Sequence, residues 1–277
     1  MKTRDWAWTS HDGLEMYAQS WEPEERPKAV VCLVHGLGEH SGRYAHVGKA
    51  FAGAGFVLAG FDLRGHGKSG GQRGHIPSLA AVMGDIQSFC QQLEERYPGI
   101  PQFLYGHSMG GFLVLAYATF KSNTLRGVIA TGPALRTPVL EQKFKIGLAK
   151  ALGLLMPTMT ISTGLEASFI SRDPQVVRAY QEDPLVHDVG TLAAARMGLD
   201  AVEWAFTHAP EFPVPLLLLH GSEDRLAYPH GSQEFADLDP NDCTLKIWDG
   251  LYHEIHNEPE KNEVFAFMID WVNSQLQ

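Results

Sequence analysis

Residues 102–120 read Gln102-Phe-Leu-Tyr-Gly106-His107-Ser108-Met109-Gly110-Gly111-Phe-Leu-Val-Leu-Ala-Tyr-Ala-Thr-Phe120. A short apolar run, Gln102–Tyr105, reads as a strand. Met109–Phe120 is apolar nearly all round and reads as a buried helix. Between them Gly106–Gly110 fits G-x-S-x-G, the pattern of a serine carried on a sharp strand-to-helix turn. Flanking glycines remove side chains that would collide in such a turn. The helix that follows points its N-terminal N–H groups at the serine, where they can stabilise an oxyanion.

Working outward, the same rhythm repeats. Ala29–Val34 (AVVCLV) and Phe56–Phe61 (FVLAGF) are continuous apolar runs of the kind found in strands buried on both faces. Tyr44–Ala54 and Leu79–Tyr97 have helical spacing, and Pro98-Gly99 closes the second. Gly127–Ala130 is another strand. The alternation predicts βαβ units and a mostly parallel sheet, an α/β fold. From about Ala134 to Phe212 no clean strand is predicted, and helices are expected at Leu140–Leu155, Gln175–Tyr180 and Thr191–Phe206. The α/β rhythm then resumes with strand Leu216–His220, helix Gly231–Leu238, strand Thr244–Trp248 and helix Val264–Gln275. The expected organisation is one core domain, residues 1–133 and 213–277, interrupted by a helical cap at 134–212.

A serine hydroxyl needs a base, and the base needs an orienting acid. On an elbow of this kind the acid and then the base follow the serine along the chain. Strand Leu216–His220 is followed by Gly221-Ser222-Glu223-Asp224, which makes Asp224 the candidate acid and Glu223 its competitor. After Trp248 comes Asp249-Gly250-Leu251-Tyr252-His253-Glu254-Ile255-His256. His253 is the favoured base; His256 is the competitor, or a neighbour lining the pocket. H-E-I-H is one residue short of a zinc-binding H-E-x-x-H, so no metal is expected. The candidate oxyanion donors are the backbone N–H groups of Met109 and of Leu37, in the glycine-rich run His35-Gly36-Leu37-Gly38. That run lacks the lysine and spacing of a phosphate loop.

Composition narrows the partners. Lys and Arg number 22 against 32 Asp and Glu, a formal charge of −10, which argues against nucleic acid. The three cysteines, Cys32, Cys90 and Cys243, show no metal-ligand spacing, and a reducing, cytoplasmic setting is the expectation. No secretory signal and no run long enough to span a membrane is read. Phe144–Met159 combines Ile146, Leu148, Leu152, Leu154, Leu155 and Met156 with Lys143, Lys145 and Lys150. It can pack on the core, border an acyl tunnel, or make transient peripheral contact with a membrane.

With these residues in hand, the sequence resembles the α/β-hydrolase superfamily, and more narrowly its monoacylglycerol lipase / lysophospholipase branch. The resemblance rests on His35–Tyr44 (H-G-x-G-E-H-S-G-R-Y), Phe61–Ser69 (F-D-L-R-G-H-G-K-S), Gly106–Gly111, Asp183-Pro184-Leu185-Val186, His220–Asp224 and Tyr252-His253. It implies an α/β-hydrolase fold with a helical cap, a serine carboxyl-ester hydrolase without cofactor, and a small acyl ester or lipid as substrate. It also supports His253 over His256, since the histidine after the tyrosine is the base in that branch. It implies a polar pocket for the alcohol part of the ester at Glu39, Arg43, His107 and Tyr180. The competing reading of Glu39 and Arg43 is an ion pair that stiffens the oxyanion loop. Lysophospholipase, thioesterase and aminopeptidase activities remain alternatives, the last requiring an acidic anchor such as Glu166 or Glu203. A non-catalytic binding protein is the alternative of a different class.

Overall fold

The computed structural model describes residues 1–120, 125–138, 153–238 and 242–277. Eight strands form one sheet: β1 (Lys2–Thr9), β2 (Glu15–Glu22), β3 (Ala29–Val34), β4 (Phe56–Phe61), β5 (Gln102–His107), β6 (Gly127–Thr131), β9 (Leu216–Gly221) and β10 (Cys243–Trp248). Two further strands, β7 (Thr160–Ser162) and β8 (Val189–Thr191), lie between β6 and β9 in sequence and pair with each other. The sheet order is β1-β2-β4-β3-β5-β6-β9-β10. Only the first two neighbour pairs are antiparallel; from β4 to β10 every pair is parallel.

Parallel strands need covering on both faces, and here the alternation of side chains does it. Val30, Cys32 and Val34 of β3 face one side; Ala29, Val31 and Leu33 face the other. The first side is covered by α2 (Leu79–Arg96), α3 (Met109–Phe120) and α5 (Leu192–His208). The second is covered by α1 (Ala45–Gly53) and α7 (Lys261–Ser274). Two shorter helices complete the described set: α4 (Pro174–Glu182) and α6 (Pro229–Ala236). Every residue of β3, β4, β5, β6 and β9 is buried, which accounts for their unbroken apolar sequences.

The chain between β6 and β9 departs from the expectation in one respect. Where no strand is predicted, β7 and β8 form a two-stranded antiparallel sheet, with Ile161 opposite Gly190. Three residues are too few to display a period of two. The expected helices at Gln175–Tyr180 and Thr191–Phe206 correspond to α4 and α5. The one at Leu140–Leu155 lies outside the described residues except for its last three. Helix α5 packs on α3 and buries Met197, Ala201 and Ala205 in the same apolar cluster. The N-terminal hairpin β1–β2 is an addition at the sheet edge. Its outer strand keeps Lys2, Arg4 and Asp5 in water, a charged edge that discourages further pairing. Among the described residues no helix is long and apolar enough to cross a membrane.

Candidate active site

The site forms at the carboxyl ends of the parallel strands. β5 ends at His107, and Ser108 sits on the turn into α3 with φ of 54°, the one described non-glycine residue with positive φ. Such a conformation is costly for a side-chain-bearing residue and persists only where the surroundings impose it. Close packing imposes it here. A Cβ at Gly106 would lie 2.2 Å from the Gly110 carbonyl oxygen, and one at Gly110 would lie 1.9 Å from that of Val34. The turn is pinned by Ser108 N–H donating to Thr131 O at 3.0 Å, while Ser108 O accepts from Phe112 N and Ala134 N.

Asp224 lies on the loop after β9 and His253 on the loop after β10. His253 Nδ1 donates to Asp224 Oδ2 across 2.7 Å, and both side chains are buried. The other carboxylate oxygen, Oδ1, accepts the backbone N–H groups of Leu226 and Ala227 at 2.8 and 2.9 Å. Burial opposes the ionised carboxyl, but the charge of His253 and the hydrogen bonds of His220 and His253 outweigh it, so Asp224 stays well below the usual carboxylate range. Burial likewise opposes the charged form of His253, yet the Asp224 carboxylate prevails and raises its pKa above the ordinary histidine value. The competitors are elsewhere. Glu223 is exposed. His256 is buried against Tyr44 and His107 with neither ring nitrogen hydrogen-bonded, and burial pushes its pKa far down.

Ser108, His253 and His107 line one narrow pocket together with Gly36, Leu37, Glu39, Arg43, Tyr180 and Glu254. All four residues expected to contact an alcohol are therefore on its wall. Glu39 and Arg43 also form the ion pair of the competing reading, at 2.6 Å. The two readings coexist, because Glu39 Oε1 accepts the Gly36 N–H at 2.6 Å and so holds the loop that carries Leu37. Burial raises the Glu39 pKa, but Arg43 reverses this and brings it down to about 2. The guanidinium of Arg43 lies 4.7 Å from the centre of the Tyr180 ring. His107 donates from Nδ1 to the Thr131 carbonyl at 3.0 Å, and burial with His253 beside it lowers its pKa to about 4. A neutral ring with Nδ1 engaged leaves Nε2 as an acceptor, suited to a hydroxyl.

The motifs outside the Ser108, Asp224 and His253 positions are braces. Asp62 accepts from Ser41 N and Oγ at 2.9 and 2.6 Å, and His35 Nε2 accepts the Leu63 N–H at 2.9 Å. Asp183 binds His40 Nε2 at 2.9 Å, and His187 N–H donates to Gly38 O at 2.9 Å, tying the stretch before α5 to the oxyanion loop. Three contributors were given no role by the sequence reading. Glu254 grips Arg43, His220 contacts Asp224, and Gly132 leaves room beneath the Asp224–His253 pair. Glu254 and His220 carried a signal, the first as the acidic neighbour of the candidate base and the second as the start of the His220–Asp224 run.

An α/β sheet with a serine elbow, an acid after the penultimate strand and a histidine after the last defines the α/β-hydrolase class. The chain belongs to the Serine aminopeptidase, S33 family, whose model matches residues 25–260. It is 37% identical over 267 residues to a monoacylglycerol lipase of Mycolicibacterium smegmatis, covering 95% of each chain. It is 40% identical over 262 residues to an abhydrolase domain-containing protein of Dictyostelium discoideum, covering 94% of this chain but 28% of that one. The monoacylglycerol lipase structure from Paleococcus ferrophilus superposes with a TM-score of 0.86 at 38% identity, covering 94% of this chain and 99% of that one. The chain is a carboxylic-ester hydrolase of the monoacylglycerol lipase branch.

Proposed function

We propose that the chain hydrolyses monoacylglycerols and similar acyl esters through an acyl-enzyme formed on Ser108. His253 takes the Ser108 proton as the hydroxyl attacks the ester carbonyl. Asp224 holds the ring and stabilises the imidazolium that forms. The N–H groups of Leu37 and Met109 face the developing oxyanion, a term worth about 3–4 kcal/mol per donor. The alcohol leaves with the proton returned by His253. Water then enters, is deprotonated by His253, and releases the fatty acid. Glu39, Arg43, His107 and Tyr180 receive the alcohol part. The observation that carries the reading is the 2.7 Å Asp224–His253 hydrogen bond, on a histidine that shares a pocket with Ser108.

We place the core at 1–133 and 213–277 and a cap at 134–212. Leu154, Leu155, Met156 and Met159 of the cap are exposed apolar residues, which supports transient contact with a lipid surface on a cytoplasmic enzyme. The charge of −10 favours neutral over anionic lipid there. Aminopeptidase activity finds less support. Glu166 and Glu203 are exposed and do not line the pocket, and its acidic residues, Glu39 and Glu254, are both engaged by Arg43. Kinetics over monoacylglycerols and p-nitrophenyl esters of graded acyl length, beside aminoacyl p-nitroanilides, test the reading. Preferred turnover of the anilides would refute it.

A further inference from the structure

His220 is the penultimate residue of β9, fully buried, with its ring under the loop that carries Asp224. Its Nε2 lies 3.0 Å from Asp224 Oδ2 and 2.8 Å from Ala227 O. Its Nδ1 lies 2.8 Å from Ser232 Oγ on α6. Two acceptor oxygens at Nε2 require the proton to be there. Nδ1, on the other side of the ring, is left to the Ser232 hydroxyl.

We propose that His220 is a positioning residue for the hydrolytic reaction, a ring N–H donor that fixes the Asp224 carboxylate against His253, with the Ser232 hydroxyl holding the ring from its other side. The inference rests on the Ser108–His253–Asp224 reading. Asp224 Oδ2 receives two ring N–H donors, His253 and His220, while Oδ1 receives two backbone ones. Four donors leave the carboxylate one orientation. Without His220, Oδ2 keeps His253 as its single partner. The carboxylate then turns more freely and, less stabilised, holds the His253 proton more tightly. Besides Asp224, the ionisable groups bearing on His253 are Glu254, Glu39, His107 and His256, and none of them is altered by a change at 220.

The test is the pH dependence of kcat and kcat/KM for p-nitrophenyl butyrate in full-length His220→Leu, His220→Gln and Ser232→Ala. Gln places an amide donor where Nε2 stood. In His220→Leu, kcat should fall roughly tenfold or more with KM within about twofold, a lost hydrogen bond to a charged group. Its acid limb should move up by about half a pH unit. His220→Gln should recover kcat to within about threefold of the parent and restore the limb. Ser232→Ala should fall between the parent and His220→Leu. A folded His220→Leu with the parent's kcat and pH profile overturns the proposal. So do His220→Leu and His220→Gln equally impaired with an unmoved acid limb, which is a packing defect alone. If His220→Leu does not fold, an unchanged profile in Ser232→Ala overturns it. Ser108→Ala is assayed alongside. Turnover surviving there overturns the triad reading and this inference together, whereas loss there with intact His220 variants overturns this inference alone.

Discussion

Arg43 grips Glu254, 211 residues away, with both arms of its guanidinium: Nη1 to Oε1 and Nη2 to Oε2, each at 2.7 Å. Glu254 follows the candidate base His253 directly, while Arg43 also binds Glu39 on the oxyanion loop. One planar cation thus links the segment that presents Leu37 to the segment that presents His253. Two buried carboxylates share it. The excess negative charge is met by Gly36 N–H and Tyr44 Oη on Glu39, and by Asn257 Nδ2 on Glu254.

Arg43→Met removes the cation and leaves both carboxylates buried without it. The expected cost is about 3–5 kcal/mol of folding stability, read from urea unfolding. Arg43→Lys keeps the charge but not the fork. It should fold and yet lose activity. A Lys variant with parental kcat/KM would show that charge alone suffices.

His253 must be neutral to accept the Ser108 proton. Burial lowers its pKa and Asp224 raises it, with a net rise above 6.5. Activity should therefore fall on acidification with a midpoint above 6.5, and a kcat/KM profile measured across pH 5–9 will locate it. A midpoint well below 6.5 would mean that Asp224 does not govern the base.

Asp224→Asn should fold and lose roughly 10³–10⁴ in kcat, since an amide no longer holds the tautomer or the imidazolium. Glu223→Gln, a change to an exposed residue, should stay within about twofold of the parent. Reversal of that order in esterase assays would move the acid to Glu223.

Gly132 has φ of +49°, and a Cβ there would sit 3.1 Å from His253 O, 3.3 Å from its Nδ1 and 3.5 Å from Asp224 Oδ2. Gly132→Ala should displace the base and lower kcat roughly 10- to 100-fold. Circular dichroism would establish that the variant is folded; kinetics equal to the parent's would show that the pair tolerates the shift.

The legibility of the sequence follows burial. β3, β4 and α3 have the predicted limits because both strands are covered on two faces and the helix on nearly all sides, so their apolar runs start and stop with the element. The β1–β2 hairpin lacks such a run, since its outer strand is mostly exposed. Strands β7 and β8 are too short to show a period. At the candidate site, the sequence could single out Ser108, Asp224 and His253 because each follows a recognisable strand in the expected order. It could not give roles to His220, Glu254 and Gly132, because their meaning lies in contacts between loops far apart in the chain. No local pattern tells that a histidine one residue before the end of a strand will meet the acid four residues on with its ring.

The most direct test pairs covalent labelling with mutation. A fluorophosphonate should modify Ser108, located by peptide mass spectrometry, and block hydrolysis of a monoacylglycerol in proportion to the label. Ser108→Ala, folded, should neither label nor turn over the substrate. Hydrolysis that persists in Ser108→Ala, or a label on another residue that tracks the loss of activity, would contradict the account.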